Sequence, residues 1–156
     1  MAYLFSFGGD MALMFQEKRK AYLLGLALFL MAQITYSALF EMLGRLSAWD
    51  VLSTVILLAL GVAFYSMIKA NLGDMNLPVI VYIVVISLMV NRAISTLFSP
   101  ELSTGQGIMI VIGAVLFYVS DLILAAGRYW TPWRYHRISL AFYYSGQLLI
   151  ALAASL

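Results

Sequence analysis

Apolar residues along this chain gather into continuous runs and do not alternate with polar ones. The runs, bounded by charged or turn residues, fall at about 1–15, 21–40, 51–68, 77–98, 108–127 and 138–155. A helix rising 1.5 Å per residue needs roughly 20 residues to cross a bilayer core, and the last five runs approach or meet that length. The first falls short, which makes residues 1–15 a half-span or implies that the protein begins upstream. A β-barrel is disfavoured because its strands would alternate with period two. The expected fold is all-α: a polytopic transmembrane helical bundle of about six helices, read as a single domain over residues 1–156.

Composition agrees with that class. A chain that is 64% hydrophobic and 10% charged, with mean hydropathy +0.98, has too little polar surface for a soluble domain. The absence of cysteine excludes a disulfide framework and a thiolate nucleophile, and the single histidine, His136, forms no familiar zinc constellation. No metal or organic cofactor is expected. No Gly-rich phosphate loop or nucleophile elbow is visible. Residues 1–10 carry no basic leader and no small-residue cleavage site, so they read as structural and not as a removable signal peptide.

Charge sets the orientation. Lys18, Arg19 and Lys20 follow the first run, Lys69 the third, and Arg128, Arg134 and Arg137 the fifth, which puts seven of the nine lysines and arginines on one face. Only Arg45 and Arg92 belong to the other. The positive-inside rule then places loops 16–20, 69–76 and 128–137 in the cytoplasm and both chain ends outside, as for a multi-pass protein of the cell membrane, with a bacterial inner membrane the expected setting. Attraction to anionic lipid heads accounts for the basic balance without invoking nucleic acid.

Two acidic residues break the apolar runs. Asp10 and Asp121 are each followed by five apolar residues before a polar or basic loop. A carboxylate in hydrocarbon costs several kcal/mol unless paired, solvated or protonated, so such residues mark function more often than packing. Residue counting puts both roughly 9–11 Å inside the cytoplasmic boundary. Tyr82 and Tyr143 reach a similar depth on their own helices, and Gln147 lies one turn deeper. The expectation is one polar layer in which both carboxyls share a pocket. The remaining acids, Glu17, Glu41, Asp50, Asp74 and Glu101, fall in or beside loops and are expected to be solvated. Arg92 with Asn91 is expected to snorkel to the outer interface, with a buried polar cluster as the alternative. Trp130 and Trp133 fit an interfacial aromatic belt.

A weak internal echo ties the aspartates together. Phe7-Gly8-Gly9-Asp10-Met11-Ala12-Leu13 and Tyr118-Val119-Ser120-Asp121-Leu122-Ile123-Leu124 both place aspartate after a small residue and leucine three positions later. Each continues through a basic loop into a helix with a glutamine, Gln33 or Gln147. The two readings are a parallel repeat about an axis along the membrane normal and chance similarity between apolar helices.

The run Gly113-Ala114-Val115-Leu116-Phe117-Tyr118-Val119-Ser120-Asp121-Leu122-Ile123-Leu124, followed by Trp130-Thr131-Pro132 and Tyr143-Tyr144-Ser145-Gly146-Gln147-Leu148-Leu149-Ile150-Ala151, resembles the signature of the YhhN family of lysoplasmalogenase-like membrane proteins. Ser6-Phe7-Gly8-Gly9-Asp10-Met11-Ala12-Leu13-Met14 and Leu77-Pro78-Val79-Ile80-Val81-Tyr82, running on to Met89 and Ala93, agree in order, so the resemblance covers essentially the whole chain. It also implies about two further helices ahead of the Gly-Asp motif, so that this sequence looks shortened at its amino terminus. Gln33 stands where the family commonly has histidine ahead of Tyr36.

The resemblance implies hydrolysis of the vinyl ether bond of lysoplasmalogens to a fatty aldehyde and a glycerophospho-alcohol, with Asp10 and Asp121 as the catalytic pair. The chemistry suits two carboxyls. A vinyl ether hydrolyses by protonation at carbon to an oxocarbenium ion, so it needs an acid and a stabilising anion. Desolvation and a like-charged neighbour favour keeping one carboxyl protonated while the other stays ionised. Glycosidases meet the same cation with two carboxyls, an analogy of logic and not of fold. Tyr82, Tyr143 and Gln147 are candidates for supporting a carboxylate or a water, or else for interhelical contacts. Arg128, Arg134 and Arg137 could meet a lipid phosphate, although positive-inside statistics already explain them. The expected partners are the lysophospholipid and membrane lipids; the sequence is silent on oligomeric state. The alternatives are a proton-coupled transporter, since intramembrane aspartates also serve proton relays, and a non-catalytic membrane subunit.

Overall fold

A computed structural model of the chain describes residues 2–13, 19–130 and 136–156. Six helices follow in order: α1 (Ala2–Leu13), α2 (Arg19–Leu43), α3 (Ala48–Ile68), α4 (Asn76–Ser95), α5 (Thr104–Tyr129) and α6 (His136–Ser155). Short 3-10 turns at Lys69–Asn71, Gly73–Met75 and Thr96–Phe98 join or extend them. No strand occurs among the described residues. Each helix overlaps one of the six apolar runs, and five are long and apolar enough to cross a membrane. The chain is a multi-pass membrane protein. Helix α1, at 12 residues, is the short one that the first run implied. Glu17, Lys18, Trp133 and Arg134 lie outside the described residues.

Helix direction alternates. At one end Asn71 Nδ2, after α3, donates to the Tyr129 carbonyl at the end of α5 at 2.6 Å, and the Tyr129 hydroxyl reaches Tyr22 near the start of α2 at 3.2 Å. At the other end Arg45 N, past α2, meets the Ser95 carbonyl at the end of α4 at 3.1 Å. There too Gln106 Nε2 of α5 donates to the Ala153 carbonyl of α6 at 3.1 Å. Lys20, Lys69, Arg128 and Arg137 therefore gather at one end, the basic end, while Arg45 and Arg92 occupy the other. On α3, Val51, Val55, Leu58 and Val62 form a stripe more than half exposed, which is the lipid-facing side of a bundle whose solvent is hydrocarbon.

The interior is built on α4 and α5. Phe40, Met89, Ala93, Ala114 and Phe117 are all but inaccessible, and α2 packs against α4 while α6 packs closely along α5. Glycine permits that last approach. A Cβ on Gly113 would lie 2.8 Å from the Gly146 carbonyl oxygen, and one on Gly146 would lie 2.6 Å from the Gly113 carbonyl oxygen. Membrane helices associate through such small-residue contacts because no hydrophobic drive separates them from lipid. Lower down, Ser120 Oγ donates to the Ser139 carbonyl and Ser139 Oγ to the Ser120 carbonyl, both at 2.9 Å. Both contacts fix α6 at the level of Tyr143 and Gln147.

At the end opposite the basic loops the structure corrects one expectation. Asp50 is not solvated: it is 6% exposed and accepts hydrogen bonds from the Ser47 backbone nitrogen and hydroxyl and from the Ser95 hydroxyl. Asn91 Nδ2 donates to the Asp50 carbonyl at 2.9 Å and to Ser53 Oγ at 2.7 Å. The Arg92 guanidinium donates to Asn91 Oδ1, pairs with Glu41 at 2.8 Å and comes within 3.9 Å of Asp50. The acid lies in the first turn of α3, where a carboxylate closes a capping box, and α4 supplies the remaining donors. Of the two readings of Arg92 and Asn91, the buried cluster is the observed one. Glu41, Asp74 and Glu101 are exposed, as their loop positions implied.

Two stability outcomes are expected. Gly146→Leu should force α6 off α5 and cost about 1–3 kcal/mol, read as a lowered thermal midpoint in detergent. Asp50→Ala should cost about 3 kcal/mol by stranding Arg92 and the α3 amino terminus, whereas Glu41→Ala, on the exposed side, should cost under about 1 kcal/mol.

Candidate active site

Asp121 is carried by the middle of the basic half of α5, where the helix faces α2 and α4. Two donors converge on one of its oxygens. The Tyr82 hydroxyl of α4 donates to Oδ2 at 2.6 Å, and Gln33 Nε2 of α2 donates to the same atom at 3.2 Å. Gln33 is fully buried, and its own Oε1 is a buried acceptor with no hydrogen-bond partner.

Asp121 opens into a narrow cavity of about 40 Å³ between α2, α4 and α5. Its walls are mostly apolar: Leu26, Phe29, Phe64, Val79, Ile83, Ile86, Leu122, Leu124 and Ala125. The polar groups are Asp121, Tyr82, Tyr22 and Tyr118. Tyr118 is 5% exposed and its hydroxyl has no partner. An apolar pocket with a few converging polar groups is the ordinary form of a small-molecule site, and a buried polar atom left unsatisfied asks for a ligand or a water.

Asp10 sits on the other side of a shared aromatic wall. Tyr143 of α6 donates to Asp10 Oδ2 at 3.1 Å. The Tyr143 ring packs edge-on against Phe29 at 5.7 Å and against Phe117 at 5.3 Å. Phe29 in turn lines the Asp121 cavity. Gly9 makes room for it, since a Cβ there would lie 2.7 Å from the Phe29 ring. Asp10 is thus absent from the cavity lining. The expectation that both carboxyls share one pocket needs this correction, and its reason is the bulk of Phe29 and Tyr143 between them. The two aspartates nevertheless flank one aromatic wall, since Tyr143, which holds Asp10, packs against Phe29, which lines the Asp121 cavity.

Gln147 does not touch either aspartate. Its Oε1 accepts from the Tyr36 hydroxyl at 2.7 Å and its Nε2 donates to Ser6 Oγ at 3.1 Å. Ser6 lies one turn of α1 beyond Asp10, so Gln147 bridges α1, α2 and α6 one level deeper than Tyr143. Sequence reasoning singled out Asp10, Asp121, Tyr82 and Tyr143, which the structure joins in two pairs, and missed the contacts of Ser6, Tyr36, Tyr118 and Gln33. The echo between halves gave a partial signal for Gln33. The second helix of each half reaches the aspartate of the other, Gln33 to Asp121 and Tyr143 to Asp10, but Gln147 does not mirror Gln33.

Among the described residues no group of three or more histidine, cysteine or acidic side chains is arranged to hold a metal. The model of the YhhN family matches residues 1–154. No curated protein and no solved structure matches the chain.

Proposed function

The chain belongs to the YhhN family, and from that premise and the geometry above we propose that it is a membrane hydrolase cleaving the vinyl ether bond of lysoplasmalogen-type lysophospholipids. The observation that carries this reading is Asp121. It is a carboxyl inside a mostly apolar cavity, oriented by two donors and accompanied by buried polar atoms that lack partners.

In this reading Asp121 is the acid. Tyr82 and Gln33 both bind Oδ2, so the proton resides on Oδ1 and passes to the vinyl carbon one bond removed from the oxygen-bearing carbon. The O–H bond breaks, a C–H bond forms, and the ether oxygen donates electrons to give an oxocarbenium ion. The two hydrogen bonds to Oδ2 strengthen as the carboxylate charge develops, which is where preorganised donors lower a barrier. Asp10, held by Tyr143 behind Phe29, supplies a negative field toward the cation without touching it. Water then adds at the oxygen-bearing carbon and gives its proton back to the Asp121 carboxylate. The hemiacetal collapses to aldehyde and glycerophospho-alcohol, so one water is consumed per bond cleaved. The unpartnered Tyr118 hydroxyl, which lines the cavity, is the group available to hold that water. By the positive-inside rule the basic end faces the cytoplasm, and the site opens in the inner leaflet of a cell membrane.

Purified protein should release fatty aldehyde from a 1-alkenyl lysophospholipid, and in D2O that aldehyde should carry one deuterium beside the carbonyl. Asp121→Asn should lower kcat by about 10²–10⁴-fold, the usual range for a general acid, and Tyr82→Phe by about tenfold. Asp10→Asn should be milder than Asp121→Asn. No aldehyde from folded protein, or full turnover by Asp121→Asn, would falsify the assignment, and substrate flux into sealed vesicles without cleavage would point to transport.

A further inference from the structure

We propose that the alkenyl chain of the substrate leaves the Asp121 cavity past Ile83 and lies in the groove between α3 and α4, where Ser87 sets the chain length that fits; this rests on the function proposed above. The Asp121 cavity, at about 40 Å³, has room for water and the reacting carbons but not for a long hydrocarbon chain. A groove of about 350 Å³ lies alongside, between α3 and α4, within the range of roughly 300–1,000 Å³ typical of sites for drug-sized ligands. Ile83 lines both spaces. Opposite it on α3 is Gly61, where a Cβ would lie 2.9 Å from Ile83 Cγ2, so the Ile83 side chain fills the room that this glycine leaves. Tyr82, the neighbour of Ile83, donates to Asp121. The crossing is therefore at the height of the carboxyl.

From Ile83 the groove runs away from the basic end, along Ser87 of α4 and Leu57 of α3, to Asn91 and Thr54, which are joined at 3.1 Å. The stretch from Ile83 to Asn91 spans about 12 Å of helix, the length of about ten carbon–carbon bonds in an extended chain. None of the residues that line it is charged, which suits a hydrocarbon chain and not a headgroup. Leu58, Val62, Val84 and Leu88 on its rim are exposed, so a chain can enter sideways from the bilayer. Ser87 stands one turn past Ile83, and its hydroxyl oxygen is buried with no hydrogen-bond partner among the described residues. A hydroxyl that bonds nothing adds no polar contact. What Ser87 and Gly61 supply is smallness, and with it the width that a methylene chain needs.

The test has two arms. In detergent micelles the wild type is irradiated with a non-hydrolysable 1-alkyl lysophospholipid whose chain, about fourteen carbons long, ends in a diazirine. The adduct should map to residues 54–58 and 84–91, and excess unlabelled analogue should remove it. Adducts on α2 or α5 overturn the proposal, as does labelling that the competitor leaves unchanged, the outcome for a groove filled by bulk lipid or detergent. In turnover, Ser87→Phe should lower kcat/KM about 10- to 100-fold for a 1-alkenyl lysophospholipid of about fourteen carbons, the discrimination that an apolar pocket gives. For a chain of about six carbons, which ends before Ser87, it should stay within about twofold of the wild type. The short substrate thereby reports on folding, and Ser87→Leu, a smaller plug, should give a weaker effect of the same kind. If variants that keep the wild-type thermal midpoint treat both chain lengths alike, as they would with a second copy's helix seated in the groove, the proposal is overturned. The labelling needs no variant and decides the matter if neither variant folds. A wild type that takes the label on α3 and α4 but releases no aldehyde from either chain length sinks the hydrolase reading and leaves the chain site standing; aldehyde release with the label elsewhere does the reverse.

Discussion

Asp121 Oδ2 accepts hydrogen bonds from α4 and α2 at once, and this three-helix junction constrains the rest of the molecule. A carboxyl at that depth is cut off from bulk water, so most of its donors must come from neighbouring helices in fixed positions. Tyr82 can reach it only if α4 packs against α5 in one rotation, and Gln33 only if α2 lies beside both. The small-residue contact between Gly113 and Gly146 then sets α6, which carries Tyr143 to Asp10. A chain of polar contacts runs from Gln33 through Asp121 to Tyr82 on one side and from Asp10 through Tyr143 on the other. The aromatic cluster of Phe29, Phe117 and Tyr143 joins them. Helix order and helix rotation are consequences of satisfying two acids.

The aromatic wall has a mechanistic consequence. Were both carboxyls open to the same cavity, a substrate would meet two groups competing for one proton. Under the proposed function, with Phe29 between them, Asp121 meets the substrate and Asp10 acts through space. Electrostatic influence survives this separation because the intervening medium is apolar and screens weakly. Proton delivery does not survive it, since that needs contact. In the proposed reaction the labour is therefore divided unequally between Asp121 and Asp10, a division that equal depth along two helices could not disclose.

Six apolar runs were legible as six helices because length and hydropathy act locally, and residue counting brought Asp121 to the level of Tyr82 and Asp10 to that of Tyr143. Counting along an axis fixes height but not azimuth. It could not show that Gln147 turns toward Ser6 and Tyr36, that Gln33 reaches across to the other half, or that Phe29 stands between the aspartates. Asp50 was misread for a related reason. Its place beside a loop suggested solvent, yet a helix amino terminus carries unpaired N–H groups that draw a carboxylate inward, and the residues that complete its burial, Asn91 and Ser95, are some 40 positions away.

The two polar clusters, at opposite ends of the bundle, differ in a way that separates architecture from chemistry. Around Asp50 both carboxylate oxygens have donors, and the Asn91 amide and Arg92 guanidinium are engaged as well. Such a knot has no capacity left for a ligand, and opening it would strand charges. Around Asp121 the donors crowd one oxygen, while Gln33 Oε1 and the Tyr118 hydroxyl are buried without partners. A half-satisfied network is costly in a fold that has no use for it. Ser87, the third buried group without a partner, faces a groove between α3 and α4 and belongs to neither cluster. Incomplete satisfaction coincides with a cavity and an intramembrane acid at only one of these places. In the proposed reaction the partners these atoms lack would be supplied by what the cavity admits, a water and the ether oxygen of the substrate.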